Sequence, residues 1–138
     1  MSLSRAQLDE LYRISPTGAV PVGETSGTTI LAPGTTIGKI ASLLIRWFAW
    51  QGKVFAADRR TLVNKISPFR IKAIKATVQN GDSRLDSREA IILDYSRTSL
   101  VARMIRDEVR EVQPGLYLGK VYWGRWRLTD FALVPQGE

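Results

Sequence analysis

The sequence predicts a mainly β protein, a small antiparallel barrel or strongly curved sheet accompanied by two helices. Three observations carry that expectation. The chain closes on two stretches, Gly115 to Trp123 and Trp126 to Val134, that alternate residue by residue around Gly124-Arg125, a two-residue hairpin turn. Ahead of them, from Gly52 onward, short β segments follow one another, punctuated by Asn80-Gly81-Asp82 and Gln113-Pro114-Gly115. The length, 138 residues, suits one independent core, so 1–138 reads as a single domain.

The elements follow in order. Ser4 can cap a short helix to about Arg13, because Leu8, Leu11 and Tyr12 fall at helical spacing; such a helix would cover one end of a sheet. The Pro-, Gly-, Ser- and Thr-rich SPTGAVPVGETSG is a loop into a first strand near Glu24 to Leu31. Thr35 or Thr36 can cap a second, amphipathic helix near 36–50, in which Ile37, Ile40, Leu43, Leu44, Trp47 and Phe48 recur at spacings of three and four. Its stripe packs on a sheet or lies in a membrane interface, with Lys39 and Arg46 meeting lipid phosphates. Strands are then expected at Lys53 to Ala56, Thr61 to Ile66, Phe69 to Gln79 and Glu89 to Tyr95, with a turn at Asn80-Gly81-Asp82. Residues 99–112 fit a helix through Val101, Ile105, Val109 and Val112, and a strand by alternation. The Pro-Gly turn that follows favours a strand over 104–112.

Composition narrows the chemistry. The chain has 44% apolar and 24% charged residues, as in an ordinary globular domain, and contains neither cysteine nor histidine. That excludes disulfides, Cys/His zinc sites, cysteine nucleophiles and Ser-His-Asp relays, and no metal or other cofactor is expected. No secretory signal opens the chain, and the most apolar window, 37–50, falls short of a spanning helix, so a cytoplasmic location is expected. The net charge is +7, concentrated between Lys39 and Lys75, where nine basic residues face one acid, Asp58. Such a segment favours anionic partners, an anionic membrane surface among them, or simply a solvated face. Nucleic acid is disfavoured, because the aromatics cluster in the C-terminal hairpin, away from this basic excess.

Two constellations can carry chemistry. If 104–112 is a strand, Arg106, Glu108 and Arg110 share one face and Ile105, Asp107 and Val109 the other. Asp107 among apolar walls would need a partner such as Arg97 or Tyr95; otherwise its pKa would rise. It is then a ligand anchor or acid–base group, unless these charges form an ion-pair ladder on the outside. The aromatics Tyr95, Tyr117 and Trp123 belong to a second set that either fills a barrel interior or lines it around one small ligand. No Gly-rich phosphate loop or calcium loop occurs.

The stretches WQGKVF (Trp50 to Phe55), ILDYSRTS (Ile92 to Ser99) and RDEVREVQPGLYLG (Arg106 to Gly119), with the terminal FAL, resemble a set of small bacterial proteins of uncharacterised function. In the order of its parts the chain also resembles GXWXG-type and lipocalin-like (calycin) barrels. The resemblance implies an interior able to hold an apolar or amphipathic small molecule, and it carries over no catalytic residue.

The expected function is therefore binding, inside the barrel, of an apolar or amphipathic small molecule with an acidic head group, lined by Tyr95, Tyr117 and Trp123 and paired with Arg97, Arg106 or Arg110. Two alternatives stand beside it. One is a cofactor-free isomerase, cyclase or decarboxylase using Asp107 or Glu108 with Tyr95; the other is peripheral binding to anionic lipid through 37–50. A homodimer is compatible with each.

Overall fold

A computed structural model of the chain describes residues 4–30, 50–66, 71–96 and 103–136. Eight antiparallel strands run in sequence order around a closed barrel. They are β1 (Gly23–Ile30), β2 (Trp50–Phe55), β3 (Thr61–Ile66), β4 (Ile71–Asp82), β5 (Glu89–Asp94), β6 (Ile105–Gln113), β7 (Leu116–Trp123) and β8 (Trp126–Pro135). Pairing of β1 with β8, from Thr25 opposite Pro135 to Ile30 opposite Asp130, closes the ring, so the described strands leave no edge for aggregation. No helix among the described residues is long and apolar enough to cross a membrane.

Among the described residues there is one helix, α1 (Arg5–Ile14). Its start is fixed by a capping box in which the Ser4 hydroxyl accepts from Gln7 N at 3.1 Å and the Gln7 side chain accepts from Ser4 N at 2.8 Å. The expected amphipathic helix over 36–50 falls at 36–49 outside the described residues, and Trp50 begins β2.

The ambiguous segment is a strand, β6, and Gly124-Arg125 is the β7–β8 turn, with Gly124 at φ 56°. One turn is elsewhere than expected. Asn80, Gly81 and Asp82 continue β4, paired with Ile91, Ala90 and Glu89, and the chain reverses instead over 83–88, where Ser83 N donates to Arg88 O. Pairing across the sheet overrides the local turn preference of Asn-Gly.

The described residues form two apolar regions. Inside lie Phe55, Leu62, Val78, Ile91, Leu93, Val109, Phe131 and Leu133 with Tyr95 and Tyr117. Outside, α1 lays Leu8 and Tyr12 over Ala90, Ile92 and Leu118. After α1 the chain crosses one end of the barrel. Thr17 bonds Glu89 O and the Glu111 amide, Ala19 O accepts from the Tyr117 hydroxyl, Val20 O accepts from Arg59, and Val20 packs on the interior cluster. Gly18 is required in this crossing: its φ is 77°, and a Cβ there would sit 2.4 Å from Glu111 Cβ. This segment plugs the end that carries the β2–β3, β4–β5 and β6–β7 turns. The other end carries the β7–β8 turn and the strand ends leading into 31–49, 67–70 and 97–102.

Candidate functional site

Toward the end opposite the plug, four polar side chains converge inside the barrel. Lys53 arrives on β2, where alternation places it on the same face as Phe55. Its backbone is pinned by Thr25, whose hydroxyl donates to Lys53 O at 2.7 Å and accepts from Lys53 N at 3.1 Å. Asn64 comes from β3, two residues beyond inward Leu62; Tyr95 follows β5; Asp107 stands on β6 opposite Leu93.

The Lys53 ammonium is the hub. It lies 2.9 Å from Asp107 Oδ2 and donates to Asn64 Oδ1 at 2.8 Å and to the Tyr95 hydroxyl at 2.7 Å. The Phe131 and Tyr95 rings lie 5.3 and 5.4 Å from the ammonium. Tyr95 in turn donates to Asp107 Oδ2 at 3.2 Å and accepts from Asn64 Nδ2 at 3.0 Å. Burial alone would lower the Lys53 pKa, but the Asp107 charge and the Tyr95 hydroxyl hold it above the ordinary lysine value. Burial, reinforced by the Asp107 charge, pushes Tyr95 up to about 12, so it stays a protonated donor. Asp107 is 3% exposed, yet its second oxygen, Oδ1, is buried with no hydrogen-bond partner. The cluster is a neutral pair of opposite charges with one acceptor to spare.

A second cluster lies on the outer face beneath α1. Glu108 is fully buried and accepts from Tyr12 OH at 3.1 Å, from Ser83 Oγ and from the Arg84 amide at 3.0 Å. Arg110 grips Asp86 with two nitrogens at 2.7 and 2.8 Å and stacks on the Tyr12 ring at 4.3 Å. Nη1, one of those two, also donates to Tyr12 O, and Nε donates to Glu89 O, each at 3.1 Å. Lys120 and Arg127 bind Asp9 of the helix and Asp130 of β8. These charges fasten the helix to the barrel.

The expected site residues therefore divide. Tyr95 and Asp107 meet in the interior cluster. Glu108 and Arg110 face outward and are consumed by the helix clamp, and Arg106 is also outside, donating to Asp82 O at 2.5 Å. Tyr117 points inward but at the plugged end, where its hydroxyl donates to Ala19 O. Trp123 is 48% exposed at the β7–β8 tip, and Arg97 lies outside the described residues. Lys53 and Asn64, the centre of the cluster, are not among the residues the sequence singled out. The available signal was parity, since each stands two residues from an apolar residue of its own strand, Phe55 or Leu62.

No known family and no curated protein matches the chain. A crystal structure described only as a protein from Thermomonospora curvata shares its fold, with TM-score 0.69 over 99% of this chain and 90% of that one at 20% sequence identity. At that identity the likeness is one of fold. The closed eight-stranded antiparallel barrel is established, and a likeness of fold at this identity carries no lipocalin kinship.

Proposed function

We propose that the barrel binds an amphipathic small molecule whose polar end meets Lys53, Asn64, Tyr95 and Asp107. The observation that carries this is Asp107 Oδ1, a buried carboxylate oxygen with no partner beside a fully engaged ammonium. An unsatisfied buried acceptor costs about 1–3 kcal/mol, a cost that a donor on a ligand would remove. The position also suits a ligand, because the plug closes the opposite end and the apolar interior wall continues from the cluster.

The chemistry favours a neutral donor, a hydroxyl or an amide N–H, over the acidic head group expected from sequence. Lys53 already has its counter-charge, and a ligand carboxylate would face Asp107. Arg106 and Arg110 lie on the outer face of the barrel, Arg110 buried beneath α1. Thermal stabilisation by a long-chain alcohol, the primary amide and the carboxylate of equal chain length tests the proposal. Alcohol and amide should raise Tm, the carboxylate less, and Tyr95→Phe should reduce the gain. If none of the three stabilises the protein, the binding proposal fails; if only the carboxylate does, the donor assignment fails.

One observation favours an acid–base enzyme as a second reading: a protonated Tyr95 hydroxyl lies 3.2 Å from a carboxylate inside the barrel. Glu108 drops out of that scheme, being bound to Tyr12 and Ser83. Extracting a bound ligand after incubation and weighing it distinguishes the two, since a carrier returns its ligand with unchanged mass.

A further inference from the structure

Among the described residues, the β7–β8 turn presents the largest exposed apolar side chains at the barrel end opposite the plug. Trp123 and Trp126 are the last cross-strand pair before the turn and so lie on one face of the hairpin. They are 48% and 61% exposed. Met104 joins them: it is 48% exposed, its carbonyl accepts from Gly124 N at 2.9 Å, and its methyl lies beside Gly124. An isolated exposed apolar residue needs no explanation, but two tryptophans and a methionine together at one tip do.

Charge identifies what they meet. Residues 103–106 and 122–129 contain Arg103, Arg106, Arg125 and Arg127 and no acid. Arg106 and Arg127 are held by Asp82, Glu108, Asp9 and Asp130. Arg103 is exposed, and the Arg125 guanidinium lies over the Trp126 ring at 5.3 Å. Exposed indole rings with guanidinium groups beside them on a two-residue turn match the headgroup layer of an anionic membrane, where indole sits at the boundary and arginine meets phosphate. A two-residue turn offers far less than the roughly 800 Å² per partner of a stable protein interface, which argues against a protein occupant.

We infer that the Met104, Trp123 and Trp126 tip, with Arg103 and Arg125, docks the barrel on anionic lipid surfaces. The contact is peripheral, and it places the barrel end that carries the β7–β8 turn against the membrane. It stands independently of the ligand proposed above, since the tip residues are outside the interior cluster.

The test is co-sedimentation of the full chain with vesicles of equimolar phosphatidylcholine and phosphatidylglycerol, beside vesicles of phosphatidylcholine alone. Wild type should sediment with the anionic vesicles at low salt and be released as salt screens the arginines. Trp123→Ala/Trp126→Ala should weaken partitioning by at least about tenfold, and Arg103→Ala/Arg125→Ala by about fivefold per charge removed. Circular dichroism confirms that these surface variants remain folded. The inference is overturned if wild type stays in the supernatant, or if both double variants sediment as wild type does, which puts the lipid contact elsewhere. It is also overturned if sedimentation velocity finds a dimer that Trp126→Ala abolishes while vesicles bind neither protein.

Discussion

Replacing Asp107 by asparagine should destabilise the protein severely and reverse the pH dependence of its stability in the alkaline range. The substitution keeps the volume and one hydrogen-bonding oxygen but removes the charge 2.9 Å from the Lys53 ammonium. Lys53 is 3% exposed, so its charge would stay buried without the Asp107 counter-charge, at a cost of about 3–5 kcal/mol. For a chain of this length that lowers Tm by roughly 10–20 °C. In the wild type the Lys53 pKa is held above its unfolded value. Its contribution is therefore complete below about pH 10.4 and is lost as pH rises through the folded value. In Asp107→Asn the dominant remaining influence is burial, which lowers that pKa, so the variant should gain stability as pH rises toward 10.4. Urea unfolding followed by circular dichroism at several pH values measures both effects. Lys53→Met/Asp107→Leu should recover most of the loss, because an apolar pair of similar volume replaces two buried charges. The argument is refuted if Asp107→Asn costs under about 1 kcal/mol, or if the double variant is no more stable than the single one.

Two further outcomes follow from the same structure. At Gly119 a Cβ would fall 2.2 Å from Phe131 Cζ, so Gly119→Ala should cost about 1–3 kcal/mol by displacing that ring, and Gly119→Ala/Phe131→Leu should regain part of it in the same unfolding assay. The twin hydrogen bonds from Arg110 hold Asp86 down to about 2, so its contribution is present above the unfolded carboxylate pKa and is lost as pH falls toward 2; Asp86→Asn should cost about 1–2 kcal/mol at pH 7 and flatten the stability profile below pH 4, as thermal melts across that range would show.

Alternation made β6, β7 and β8 legible, because a strand half in a core writes its two faces into alternate positions. It placed Asp107 and Glu108 on opposite faces, as the barrel has them. The local turn preference misled at Asn80-Gly81-Asp82, which lies inside a strand paired with Glu89 to Ile91. Parity puts Lys53 on the same face as Phe55, yet its charge reads as surface until a carboxylate from another strand is seen to neutralise it.

Strand existence, the N-terminal cap at Ser4, the closing hairpin and the absence of thiol or imidazole chemistry were all fixed by residues close in sequence, since each depends on local periodicity, one turn or composition. Closure of the barrel, the plug at 17–20 and the two charge clusters arose only in three dimensions. Lys53, Asn64, Tyr95 and Asp107 come from four segments, and Glu108 and Arg110 become buried only when α1, about a hundred residues earlier, lies across them. Which charge is solvated and which is buried depends on what packs over it, and for this chain that is set by contacts between distant strands and a helix.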